Sequence, residues 1–210
     1  MSSPDQALQD AVHAAVRAGE DVVGVPSPNP PVGAALLDAG GRLVATGGTE
    51  PAGGRHAEVV ALDAAGDAAA GSTLVVTLEP CSHTGRTGPC TQRIIDAGVA
   101  RVIYGVADPH PLAAGGAAVL RDAGVDVTQD PMAEALAGSD ALRAWLHRQA
   151  TGRPLVTWKY AASLDGYVAA SDGTSQWITG EAARQHAHSR RAVVDAIIVG
   201  TGTLATDDPS

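Results

Sequence analysis

From residue 56 to residue 130 the chain changes period repeatedly: a helical run from His56, a strand-like run from Thr73, a helix from Cys90, a strand from Arg101, a helix from Gly116 and a strand from Val125. Such alternation predicts a layered α/β sheet covered by helices on both faces, because interior strands have two apolar faces to bury and each helix has one apolar stripe. Thr73–Leu78 is β-branched and apolar, which marks an interior strand, and Glu79-Pro80 stops it. Upstream, Leu8, Ala11, Val12, Ala15 and Val16 recur at helical spacing between Asp5 and Ala18, and Gly19 ends that helix. Val32–Leu37 and Leu43–Thr46, joined by Asp38-Ala39-Gly40-Gly41, read as a hairpin. Residues 131–148, with Met132, Leu136, Leu142, Trp145 and Leu146, predict a helix leading to a boundary at Thr151-Gly152-Arg153-Pro154. One domain is expected over 1–150 and a second from 151 to 210.

Ligands in such sheets settle beyond the carboxyl ends of the strands. The two cysteines of the chain fall there, in Glu79-Pro80-Cys81-Ser82-His83-Thr84-Gly85-Arg86-Thr87-Gly88-Pro89-Cys90, downstream of His56-Ala57-Glu58. Structural zinc takes four protein ligands, whereas catalytic zinc keeps three and leaves a place for water or substrate. His56, Cys81 and Cys90 make three. Two thiolates and a neutral imidazole leave a divalent zinc formally neutral, yet it still lowers the pKa of a bound water from about 16 toward neutrality. Glu58, two residues after His56, stands where zinc deaminases place a carboxylate that carries protons without binding the metal. His56 and Glu58 fall in the first turn of one predicted helix and Cys90 at the amino end of another, where a thiol loses its proton more readily.

Two other arrangements use the same residues. One is a disulfide between Cys81 and Cys90; no signal-peptide pattern accompanies the pair to favour an oxidising compartment. The other is a closed structural site with His83 as fourth ligand. His13, His147, His186 and His188 show no ligand spacing and read as surface or satisfied residues.

The stretches Pro28-Asn29-Pro30-Pro31-Val32-Gly33, Gly54-Arg55-His56-Ala57-Glu58-Val59 and Thr77–Cys90 resemble the deaminase half of the bifunctional riboflavin-biosynthesis deaminase/reductase family. The general cytidine-deaminase pattern has two residues between its cysteines. Here there are eight, including the His-Thr-Gly-Arg-Thr insert of the riboflavin branch. Asp108-Pro109-His110-Pro111 and Ala113-Ala114-Gly115-Gly116 are similar to the family's next turn, with His110 and Ala114 departing from its usual residues. The resemblance implies a cytidine-deaminase-like three-layer αβα sandwich with His56, Cys81 and Cys90 on zinc and Glu58 as the catalytic proton carrier. It also favours Asn29 as a substrate contact rather than a turn former, and a phosphorylated ribose would suit His83 and Arg86, which could equally be solvated loop residues.

Further along, Thr157–Gly166, Ser175-Gln176-Trp177-Ile178-Thr179, Asp195–Thr203 and Asp207-Asp208-Pro209 resemble the opening of the family's reductase half, a dihydrofolate-reductase-like α/β domain that uses NADPH to open a ribose ring to a ribityl chain. By that resemblance Ala161, Trp177, Thr203 and Asp207 would touch the nicotinamide cofactor, and Ser175 and Arg191 the substrate. Such a half runs to about 140–200 residues, and only about 60 are present, so an incomplete reductase is expected. The apolar runs 155–161 and 195–200 read as strands of its sheet. Taken on its own residues, Gly200-Thr201-Gly202-Thr203 is a turn after a strand.

A net charge of −9 and a single lysine, Lys159, argue against a nucleic-acid partner, since phosphate backbones are bound by clustered lysine and arginine. No apolar stretch reaches the roughly 20 residues of a membrane span, and a soluble cytoplasmic enzyme, homo-oligomeric or not, is expected. The implied reaction is hydrolytic removal of the 2-amino group from a diaminopyrimidinone bearing a ribosylamino 5-phosphate, giving a uracil. Two rival readings use the same centre: a zinc deaminase of another base or tRNA, which the acidic charge disfavours, and a non-catalytic zinc module scaffolding a separate reductase.

Overall fold

The computed structural model describes residues 4–83, 88–111, 113–130 and 141–207, and the side chains of residues 4, 206 and 207 are outside that description. The chain divides into two units, Met1–Leu155 and Val156–Ser210. In the first, helix α1 (Pro4–Glu20) precedes strands β1 (Gly33–Leu37) and β2 (Leu43–Gly48); then follow α2 (Ala57–Ala65), β3 (Thr73–Leu78), α3 (Cys90–Asp96), β4 (Arg101–Val106), α4 (Gly116–Asp122), β5 (Asp126–Gln129) and α5 (Arg143–Thr151). The five strands form one mixed sheet in the order β2-β1-β3-β4-β5. β1 is antiparallel to both β2 and β3, whereas β3, β4 and β5 run parallel through the crossovers that contain α3 and α4.

The period of two along the strands sorts side chains to the two faces. Ala35 and Leu37 of β1, Val75 of β3 and Ile103 of β4 bury against Ala11, Val12, Ala14 and Ala15 of α1. Their neighbours Ala34, Leu36, Leu74, Val76, Leu78, Val102 and Tyr104 face the other layer, where α2, α3 and α4 contribute Ala61, Leu62, Ile94, Ala117 and Leu120. Leu142, with Trp145 and Leu146 of α5, packs on that same layer. Helices thus cover both faces, the three-layer αβα sandwich of the sequence reading. The alanine-rich core lets elements approach closely: a Cβ at Gly33 would lie 1.9 Å from the Ala15 carbonyl oxygen, so α1 crosses β1 backbone against backbone.

Expected and observed elements coincide to within a few residues through the first unit. The predicted helix over 131–148 is met by α5 from Arg143; its earlier part, with Met132 and Leu136, lies outside the described residues. α5 runs through Thr151 and ends at Gly152 in the left-handed region (φ 69°), which glycine adopts without steric cost.

The second unit departs from expectation. Its regular elements among the described residues are two helices, α6 (Glu181–Arg191) and α7 (Thr201–Asp207). The runs 155–161 and 195–200 are not strands, and Val156, Trp158 and Ile198 are 81%, 81% and 95% exposed. A strand needs a neighbour for its backbone groups and cover for its apolar face, and no described segment supplies either. Gly200-Thr201-Gly202-Thr203, read as a turn, instead opens α7, with the Leu204 amide donating to the Gly200 carbonyl at 3.1 Å. No described helix is long and apolar enough to cross a membrane.

Candidate metal centre

Two helix starts and one strand end deliver the candidate ligands. His56 is the residue before α2, extended at φ −75° and ψ 159°, and its carbonyl accepts the first helical hydrogen bond from Val60 at 3.0 Å. Cys90 is the first residue of α3, and Cys81 follows β3 by way of Glu79-Pro80. The cysteine arms are laced together, since the Cys90 amide donates to Cys81 Sγ at 3.4 Å and the Thr91 amide to the Cys81 carbonyl at 3.2 Å.

His56 Nδ1 lies 3.2 Å from Cys90 Sγ and 3.6 Å from Cys81 Sγ, and the three donor atoms all fall within 4.8 Å of one another. Zinc bonds of about 2.0–2.1 Å to nitrogen and 2.3 Å to sulfur, set tetrahedrally, would separate donors by roughly 3.6 Å. The donor set therefore fits a zinc ion in both chemistry and spacing. Both cysteines are free thiols, so the disulfide alternative is not what this fold builds. Among the described residues His83 is outside the cluster, on the exposed rim of the adjoining cavity.

The electrostatics divide the two thiols, and the ease of proton loss expected for Cys90 at a helix start is outweighed by its neighbours. Hydrogen bonds from the Cys90 thiol, the His56 ring and the Cys90 amide bring the Cys81 thiol down to about 4, against the opposing effect of burial. Cys90 is pushed up, first because it donates to Cys81 and then by burial. His56 is raised by its hydrogen bond to Cys81. Glu58 is 4% exposed, and burial together with the Cys81 charge raises its carboxyl to about 7.

A cavity of about 290 Å³ opens on the cluster, and His56, Glu58 and Cys81 line it. The Pro28-Asn29-Pro30 turn lines it too, with Asn29 exposed. Arg86 lies outside the described residues. The cavity belongs wholly to the first unit. In the second, Ala161 is half-buried, Ser175 and Arg191 are exposed, and Thr203 lies exposed on α7. Trp177 is 69% exposed with the Arg184 guanidinium 4.4 Å from its ring centroid. Asp207 ends α7, its side chain outside the described residues.

Several lining residues escaped the sequence reading. Glu79, read as a strand stop, is buried; its carboxylate accepts from the Asp108 amide at 3.2 Å and the Ala117 amide at 3.0 Å, tying the end of β3 to the β4–α4 loop and to α4. A charged residue directly after a β-branched, largely apolar strand was the available signal. Asp108 is also buried, which raises its carboxyl, and it accepts from the His110 amide at 2.8 Å. Thr49, Trp145 and Gln149 join the lining from β2's exit and α5, and spacing alone did not mark them. Close approach fixes this wall: a Cβ at Gly116 would fall 1.8 Å from the Pro80 carbonyl oxygen, so α4 sits directly on the residue before Cys81.

Residues 5–106 match the family described as "Cytidine and deoxycytidylate deaminase zinc-binding region", and residues 154–210 match "RibD C-terminal domain". The chain is 54% identical over 98% of its length to riboflavin biosynthesis protein RibD of Mycobacterium tuberculosis and 53% identical over 97% to that of Corynebacterium ammoniagenes, covering 60% of each relative. Among solved structures, a diaminohydroxyphosphoribosylaminopyrimidine deaminase/5-amino-6-(5-phosphoribosylamino)uracil reductase from Thermotoga maritima superposes with a TM-score of 0.89 at 36% identity, over 97% of this chain and 58% of that one. RibD of Acinetobacter baumannii gives a TM-score of 0.86 at 39% identity, over 99% and 57%. The chain thus spans about 60% of the length of these two curated relatives.

Proposed function

The chain belongs to the RibD family of riboflavin biosynthesis proteins, and from that premise we propose that its first unit is a zinc-dependent deaminase of a diaminopyrimidinone carrying a phosphoribosylamino group. The observation that carries the reading is the convergence of His56, Cys81 and Cys90 beside a buried Glu58 at the mouth of one cavity. His56, Cys81 and Cys90 would hold zinc, which when bound would supply the Lewis acidity that activates water at neutral pH.

Glu58 moves the protons. Its carboxylate takes one from the attacking water and gives it to the ring nitrogen beside the carbon under attack; it then takes the remaining proton from the hydroxyl now on that carbon and passes it to the departing amine as the carbonyl forms. The oxygen–carbon bond forms, the carbon–nitrogen bond breaks, and ammonia leaves behind a uracil ring. Burial keeps the carboxyl out of bulk water, so its proton is exchanged with the reactants. Asn29, on the turn lining the cavity, serves as a ring contact, and His83 on the rim receives the phosphorylated arm; Arg86, three residues later in the sequence, is assigned to the same arm.

In the second unit, Ala161, Trp177, Thr203 and Asp207 are assigned to NADPH, and Ser175 and Arg191 to the ribosyl substrate, by their match to the family's motifs. The reductase activity belongs to the complete domain of that family.

Ammonia release from the diaminopyrimidinone ribosylamino phosphate, measured with zinc-loaded protein, tests the reading. Glu58→Gln should retain zinc and lose at least about 100-fold in kcat, in line with a positioned general acid–base. Unchanged ammonia release in Glu58→Gln would refute its role.

A further inference from the structure

α5 carries a feature that the deaminase chemistry leaves unused. Its start is anchored by Leu142, which is 0% exposed, and Trp145 and Leu146 pack on the sheet's core layer. Trp145 and Gln149 are four residues apart and so share one helix face. Both line the cavity that holds His56, Glu58 and Cys81. Among the described residues Trp145 supplies the one indole or phenyl ring of that lining. Gln149 brings an amide that can donate and accept at once.

The match to the deaminase zinc-binding region stops at residue 106, so the metal ligands and Glu58 lie inside it and α5 lies beyond it. A metal ion and a carboxylate of that shared kind act on any amino-substituted ring brought to them; choice among rings falls to the groups around the ring. We propose that α5 is the wall that reads the ring, the Trp145 indole lying against the face of the pyrimidine and the Gln149 amide pairing with its polar edge. Base–aromatic stacking is a strong and orientation-fixing contact. An amide pairs with neighbouring amino and keto groups as no carboxylate or ammonium could. The inference rests on the deaminase reading and adds to it the residues that select the substrate.

The chain has three tryptophans, Trp145, Trp158 and Trp177, which makes the claim directly observable. Zinc-loaded protein carrying Glu58→Gln, Trp158→Phe and Trp177→Phe retains Trp145 as its indole. Titration with the diaminopyrimidinone ribosylamino phosphate should quench its emission to saturation, with the dissociation constant that calorimetry gives. In the otherwise native chain, Trp145→Ala should raise KM for ammonia release by roughly tenfold or more, leave kcat within about threefold and leave the zinc content unchanged, and Trp145→Phe should recover most of the loss. Gln149→Leu should raise KM several-fold at unchanged kcat. Calorimetric binding without any change in Trp145 emission, together with an unchanged KM in Gln149→Leu, would overturn the inference and leave the deaminase reading standing; this pair of measurements decides even where Trp145→Ala does not fold. Absence of both binding and ammonia release in the zinc-loaded native chain would remove the deaminase reading, and the inference with it.

Discussion

Glu58 and Glu79 are both buried carboxylates beside one cavity, and their partners separate their roles. Glu79 is spent on structure, accepting from two backbone amides, those of Asp108 and Ala117. Glu58 has the thiols of Cys81 and Cys90 and the His56 ring as its electrostatic neighbours, the surroundings of a group that exchanges protons with the reaction. Replacing Glu79 by leucine leaves two buried amides without an acceptor, each costing about 1–3 kcal/mol, so denaturant unfolding should show a loss of roughly 2–6 kcal/mol. Glutamine keeps one of the two acceptor oxygens and sets its NH2 against the other backbone donor, so it should restore no more than about half. Glu58 was legible in the sequence because its distance from His56 carries a chemical rule. Glu79 was not, since its partners lie 29 and 38 residues away and only the fold brings them to it.

At the scale of elements, the ligand arms are set by the packing of α2, α3 and α4. Gly116 of α4 rests on Pro80, so Gly116→Ala must push the chain away beside Cys81. Zinc release to a chelator should become at least several-fold faster in that variant, with a fall in melting temperature; release at the native rate would show that this contact does not hold the cysteine arm. A second tie runs outside the cavity. Asp63 of α2 accepts from Arg55 at 3.1 Å and from Arg93 of α3 at 2.8 Å, and Arg55 also binds Glu50. Hydrogen bonds from the Arg55 side chain and amide hold the Glu50 carboxyl down at about 2. A carboxyl depressed on folding stabilises the native state above its unfolded pKa, and that stability is lost as pH falls through the folded value. The melting-temperature gap between native protein and Glu50→Gln, both with chelator present, should thus be full above about pH 4.5, shrink below that and vanish near pH 2. A gap independent of pH would contradict the pairing. Element types and order in this unit were readable because β1 is apolar throughout, β3 is made of β-branched and aliphatic residues, and the helices between strands end in glycine. The close approaches at Gly33 and Gly116 were not, because a glycine's reason lies in whatever packs against it.

On the scale of the whole molecule, the two units differ in kind. The first buries a continuous core on both faces of a five-stranded sheet. In the second, Leu164, Ile198 and Trp158 stand exposed, and the apolar runs read as strands find no described partner. Periodicity reveals which segments want to pair, but pairing itself needs neighbours at a sheet edge. Calorimetry should accordingly show zinc raising the transition of the first unit, by mass action on the folded state alone.

X-ray absorption at the zinc edge bears most directly on the central claim that His56, Cys81 and Cys90 form one open zinc site. The native chain should bind one zinc with two sulfur donors at about 2.3 Å and nitrogen or oxygen donors at about 2.0–2.1 Å, and Cys81→Ser should lose it. A chain that takes up no zinc, or one whose zinc keeps the same two-sulfur shell in Cys81→Ser, would contradict the account.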